Sequence, residues 1–155
     1  MDAIDTLLRD VPLFAGLAPD ALELVAGCGA NVRFREDGVL FRSGDDANTF
    51  FVLRHGTVAL ETFVPARGPV TIETLGAGEV VGWSWLFPPY RWHFDARALS
   101  LVRATVFDAT CLREKCEADP RLGYELMSRF AQVVIERLQW TRLRLLDVYG
   151  YAGVD

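Results

Sequence analysis

Histidine and cysteine are scarce in this 155-residue chain, with two and three respectively. His55 and His93 stand far apart, and Cys28, Cys111 and Cys116 form an odd set with no CxxC pair, so zinc binding and thiol catalysis are not expected. Cys111 and Cys116 do not share a helix face, and all three cysteines read as buried inert thiols. Positive charge is not in excess either. The net charge of −5 provides no basic field for nonspecific nucleic-acid binding. No apolar run approaches the ~18 residues of a membrane span, so no membrane partner is expected. The opening MDAIDTLLRD lacks the basic flank and long apolar core of a signal peptide, which predicts a cytoplasmic location. What is present, 51% apolar and 24% charged residues, is a globular composition. The length predicts a single domain over 1–155, large enough to bury roughly 68–70% of its unfolded surface without metal or disulfide staples.

The hydrophobic period changes twice along the chain. Ile4, Leu7, Leu8 and Val11 have helical spacing and end at Pro12. A second helix is predicted from Pro19, with Leu22, Leu24 and Val25 on one face, Asp20 in the first turn and Gly27 or Gly29 at its end. These N-terminal helices fill 1–30. From Asn31 the period becomes two: Val32 and Phe34 alternate with Arg33 and Arg35, Glu36-Asp37-Gly38 turns, and Val39–Phe41, TFFVLRHG, GTVALETFV and VTIETL follow as strands. RALSLVRATVFDA, from Arg97, reads as one long final strand. Short strands at this spacing over 31–109 predict a sandwich or closed roll. The 3.6 period returns over 110–149, where Thr110 caps a short helix and Asp119-Pro120 precedes a longer one, Arg121 to about Leu146. At ~1.5 Å per residue that helix would be nearly 40 Å long, more than one small β-domain covers, so part of its apolar stripe is expected to meet a partner.

The stretch GEVVGWSWLFPPYRWHFDARA, from Gly78, is the part the rest is arranged around. Paired valines give way to Gly82, which allows positive φ and close backbone approach. Trp83, Ser84, Trp85, Leu86 and Phe87 then form a run too short and Pro-bounded for a surface helix. Arg91, Trp92 and His93 follow the two prolines. A concave elbow of this kind can bind an anion through backbone N–H groups and a guanidinium; equally, the tryptophans can be core filler and Arg91 an exposed loop charge.

Several segments together carry a resemblance: Pro12-Leu13-Phe14-Ala15-Gly16-Leu17, Gly38-Val39-Leu40-Phe41, Ser43-Gly44-Asp45, Phe51 to Val58 around a tight Gly56 turn, and Leu75 to Gly82. In this order they resemble the cyclic-nucleotide-binding domain of the Crp/Fnr regulators and of cyclic-nucleotide-regulated kinases. The resemblance implies a mainly β fold with flanking helices: an eight-stranded antiparallel β-roll (a jelly roll, or double-stranded β-helix) with N-terminal helices and a long C-terminal helix. It also implies a non-catalytic, ligand-sensing regulatory module, a homodimer through that last helix, and a pocket under the Gly82–Phe94 loop. Within the pattern, Trp83 stands where a glutamate usually takes the ribose hydroxyl, and Trp92, with His93 and Phe94 after it, stands where an arginine usually pairs the cyclic phosphate. Arg91 is one residue away, and a one-residue slip in a strand reverses a side chain's face. In the last helix, the pattern Arg137-Leu138-Gln139-Trp140-Thr141 assigns base contact to Thr141, while counting from Pro120 selects Arg137; the two share a helix face.

A charge-assisted bond to phosphate contributes ~1.5–3 kcal/mol net, so losing both the ribose and the phosphate recognition groups would weaken cyclic AMP or cyclic GMP by a factor of about hundreds or more. The expected ligand is therefore a cyclic nucleotide or another flat or apolar small molecule, held by Gly82, Trp83, Ser84, Trp85, Arg91, Trp92, His93, Arg137 and Thr141. The competing expectation is a ligand-free dimeric interaction scaffold whose pocket the tryptophans plug. Leu146-Asp147-Val148-Tyr149-Gly150 resembles the hinge that leads to a DNA-reading domain in relatives, and with no recognition helix after it, direct DNA binding is not expected. A metal-dependent roll enzyme would need more clustered ligands than His55 and His93.

Overall fold

The computed structural model describes Ile4 and residues 8–148. Eight antiparallel strands form two four-stranded sheets, flanked by helices at both ends of the chain. The strands are β1 (Gly29–Phe34), β2 (Val39–Phe41), β3 (Thr49–His55), β4 (Val58–Val64), β5 (Gly68–Leu75), β6 (Val80–Val81), β7 (Asp95–Ala98) and β8 (Val102–Asp108). One sheet has the order β1-β8-β3-β6 and the other β2-β7-β4-β5. The helices are α1 (Pro19–Ala26), α2 (Ala109–Ala118) and α3 (Pro120–Val148), with short 3-10 turns at Pro12–Phe14 and Ser84–Leu86. Most of the helix expected before Pro12 lies outside the described residues.

The unbroken apolar run in β3 has a direct structural cause. Phe51 and Leu53 join the core between the sheets, while Phe50 and Val52 join a second core under the helices. A strand buried on both faces needs apolar residues at successive positions. β6 is split in the same way, with Val81 in the inter-sheet core and Val80 in the helical one. α3 follows the same logic along its first half, where Leu122, Leu126 and Phe130 are buried at helical spacing. Phe50 is the meeting point: its ring stacks on Phe107 at 4.7 Å and on Trp85 at 5.0 Å, and meets Phe130 edge-on at 5.1 Å.

Four local expectations are corrected. RALSLVRATVFDA is two strands, because Leu99–Leu101 turns the chain from one sheet to the other; Leu99 N donates to Thr57 O at 2.8 Å and Thr57 N donates to Ser100 Oγ at 3.2 Å. The turn lies so close to Gly56 (φ +90°) that a Cβ there would sit 2.2 Å from Leu101 O. β1 begins at Gly29, two residues early. The cap of α2 is Asp108, whose carboxylate accepts from Cys111 N at 3.1 Å, and not Thr110; a residue needs extended backbone to cap, and Thr110 is already inside the helix. Finally, Cys28 and Cys111 are not free thiols. They form a disulfide with a Cα separation of 5.8 Å, because the end of α1 and the start of α2 come together. Cys116 is the remaining thiol, half-buried, and burial pushes its pKa up.

Candidate functional site

Gly82 directs the chain out of β6. Its φ of +97° suits glycine, and a Cβ would lie 2.6 Å from the Trp92 ring. The next residues form the Ser84–Leu86 turn, closed by Leu86 N donating to Trp83 O at 3.0 Å. The two flanking tryptophans then anchor the elbow in different cores. Trp85 is buried with Phe50 and Phe130 in the helical one. Trp92 is buried between the sheets, stacked on Phe41 at 3.7 Å and 8°. The segment returning to β7 pairs with the loop after β2: Ala47 N donates to Tyr90 O at 2.7 Å and Gly44 N to Trp92 O at 2.8 Å. Arg113, from α2, lies over the Tyr90 ring at 4.8 Å and donates to Trp85 O at 2.6 Å.

Beyond Phe130, no side chain of α3 is fully buried. Arginines add polar ties along the helix, Arg129 to the N-terminal turn and Arg137 and Arg144 to the roll. Arg129 Nη1 donates to Leu13 O and Ala15 O, Arg137 Nη2 to Val80 O, and Arg144 Nη1 to Ile72 O. At spacings of eight and seven residues these three lie on one side of the helix.

A cavity of about 330 Å³ lies between the elbow, β5 and α3. Gly82, Trp83, Ser84, Trp92, His93, Arg137 and Thr141 all line it, so seven of the nine expected residues are brought together. Trp85 and Arg91 are not. Trp85 belongs to the helical core. Arg91 points outward, its side chain 56% exposed, paired with Asp46 at 3.2 Å and donating to Gly44 O at 3.0 Å. Adjacent residues of an extended segment face opposite sides, and Trp92 holds the inward position.

Sequence reasoning missed the cavity wall supplied by Phe41, Leu60, Ile72, Glu73 and Phe94. β5 gives no local sign that Ile72 and Glu73 meet the last helix. Val134 and Leu138 also line the cavity; they share a helix face with Arg137 and Thr141 at spacings of three, four and seven, a signal that was readable.

Arg137 dominates the electrostatics of the cavity. Its Cζ lies over the Trp83 ring at 5.0 Å, a cation–π geometry. Its Nη2 is used by Val80 O, while Nη1 is buried with no hydrogen-bond partner among the described residues. Burial lowers the guanidinium's pKa, and the carboxylates of Glu73 and Glu79 oppose that shift. Thr141 Oγ1 donates to Arg137 O at 2.9 Å, so the hydroxyl is already engaged by the helix. No three His, Cys, Asp or Glu side chains among the described residues converge as a metal site would require, and no helix among them is long and apolar enough to cross a membrane.

Comparison with known proteins gives a consistent family. The family model described as the cyclic nucleotide-binding domain matches residues 31–119, from β1 to the end of α2. A proposed cyclic nucleotide-binding protein from Geobacter metallireducens GS-15 is 30% identical, with a TM-score of 0.78 over 89% of this chain and 99% of that one. A cyclic nucleotide-binding domain from Methylobacillus flagellatus KT has a TM-score of 0.79 at 19% identity, over 94% of this chain and 82% of that one. The N-terminal domain of a transcriptional regulator from Streptomyces coelicolor A3(2) has a TM-score of 0.69 at 24% identity, over 90% and 95%. No curated protein sequence matches.

Proposed function

The chain belongs to the cyclic nucleotide-binding domain family, and from that premise we propose that it is a non-catalytic, ligand-sensing regulatory module whose cavity takes a small molecule other than an ordinary cyclic nucleotide. The observation that carries this reading is the cavity under the elbow, where Trp83 and Trp92 occupy the two positions that the resemblance assigns to ribose and phosphate recognition. A ribose hydroxyl finds no carboxylate at residue 83, and a cyclic phosphate finds a buried indole at residue 92. Ligand contact with both the elbow and α3 would tighten the two together, since a ligand shifts only the state that it binds better.

Calorimetric titration with cyclic AMP and cyclic GMP tests this. We expect no saturable heat at micromolar concentrations. Saturable micromolar uptake of either cyclic nucleotide would overturn the reading.

α3 also supports a homodimer. Met127, Ala131, Val134, Leu138, Thr141 and Leu145 alternate at spacings of four and three, the seam pattern of a two-stranded coiled coil, and Met127, Leu138 and Leu145 are 43–49% exposed. The alternative reading, a ligand-free dimeric scaffold, draws on the tight Phe41–Trp92 stack. It predicts that native mass spectrometry finds a dimer and no copurified small molecule. With a net charge of −5 the module is not expected to bind DNA by itself. We place it in the cytoplasm, where the Cys28–Cys111 pair would face a reducing thiol pool.

A further inference from the structure

The cavity's lining specifies more than its size. Resting on the ligand-sensing reading above, we propose that the ligand is a small, planar, apolar monocarboxylate, whose carboxylate pairs with the Arg137 guanidinium and whose ring lies against Trp83, Trp92 and Leu138.

Arg137 supplies the first argument. A buried guanidinium nitrogen without a partner is costly, and burial already disfavours the cation. An anion in the cavity beside Arg137 would stabilise the cation through a charge-assisted contact. The group is also held in position before any ligand arrives, by Val80 O at Nη2 and by the Trp83 ring against its face. The ordering cost of forming the contact is thereby reduced.

The remaining wall argues for an apolar body. Phe41, Leu60, Trp83, Trp92, Val134 and Leu138 surround the space, and flat rings suit indole neighbours. A sugar would bury most of its hydroxyls against these apolar side chains, since Glu73, Ser84, His93 and Thr141 are, besides Arg137, the polar residues in the lining. At about 330 Å³ the cavity is near the lower end of the usual ~300–1,000 Å³ for ligand sites.

Charge count limits the anion to one. Glu73 lines the same cavity, so a second negative charge on the ligand would face a carboxylate with no further arginine in the lining to offset it. Glu73 and Glu79 already act on Arg137, so the ligand's charge is kept to one.

The test is calorimetric titration of the whole chain with 2-naphthoate and indole-3-acetate, each against its primary amide, alongside cyclic AMP. We expect at least one acid to bind saturably, and about tenfold to a hundredfold more tightly than its amide. Arg137→Gln should bring the acid-to-amide ratio to about one; if this variant does not fold, the acid-to-amide ratio in the native chain decides alone. Equal affinity for acid and amide overturns the carboxylate assignment and leaves the cavity as a ligand site. Binding of cyclic AMP alone overturns the carboxylate assignment and the non-nucleotide reading together. Absence of binding by every probe, with no copurified small molecule in native mass spectrometry, overturns ligand sensing itself.

Discussion

The Arg137 guanidinium rests 5.0 Å from the centre of the Trp83 ring, so the last helix and the elbow after β6 touch through a cation and an indole. A carboxylate at residue 83 would change the chemistry of the cavity more than its shape, because it would neutralise Arg137 from inside the protein. Trp83→Glu should therefore weaken an anionic ligand of this cavity by at least about tenfold. Calorimetry on the two proteins measures the change, and unchanged anion affinity would show that Arg137 is not the recognition group.

Much of this arrangement was readable beforehand. The alternation in β1, the glycine at 82 and the apolar stripe of α3 place the roll, the elbow and the helix, and the one-residue offset between Arg91 and Trp92 foretells that only one of them faces inward. What could not be read was pairing at a distance. Nothing near Cys28 marks Cys111 as its neighbour 83 residues on, and Ile72 and Glu73 reach the cavity only because β5 lies at the end of its sheet beside α3. The Leu99–Leu101 turn was hidden for another reason: its residues fit a strand by propensity, and Gly56, far away in sequence, fixes the bend.

Gly82→Ala tests the elbow itself. The new methyl would meet the Trp92 ring at 2.6 Å on a backbone at φ +97°, so Trp92 would have to leave its stack on Phe41. We expect a loss of about 1–3 kcal/mol in chemical denaturation, with a shift in tryptophan emission as Trp92 becomes wetter. A variant with native stability and emission would show that the close approach is not needed.

The Cys28–Cys111 link closes a loop of 83 residues between the two helical ends of the chain. Constraining the unfolded chain over that length stabilises the fold by about 2–4 kcal/mol. Denaturation with and without a reducing agent should show this difference, and Cys28→Ser should reproduce the reduced protein. Cys116→Ser should change neither, and the Cys116 thiol, with its pKa raised by burial, should alkylate slowly in the native state.

Glu61 gives the fold an acid-sensitive element. Its buried carboxylate accepts from Arg97 Nε and Nη2, both at 3.0 Å, and these bonds hold its pKa below the usual carboxylate range. A depressed folded pKa means that the stabilisation is fully present above about pH 4.3, the unfolded value, and fades as pH falls through the folded value. The thermal midpoint of Glu61→Gln should lie below that of the native chain at pH 7, and the gap should close as the buffer is acidified. A gap that stays constant with pH would mean the ion pair contributes packing and no charge-dependent stability.

Leu145 separates assembly from ligand binding. It lies on the seam of α3 that carries Met127, Ala131 and Leu138, is 49% exposed in the single chain, and is not among the residues lining the cavity. In a dimer joined along this seam, each Leu145 would pack against the partner helix, and Leu145→Glu would place two carboxylates in an apolar contact. Burying such charges without partners costs several kcal/mol, so the dimer dissociation constant should rise by at least about a hundredfold. Sedimentation equilibrium measures the change, and calorimetry on the resulting monomer asks whether the ligand still binds. Retained affinity in a monomer would place the whole site within one chain. A variant that stays dimeric at unchanged affinity would move the interface off this stripe of α3 altogether.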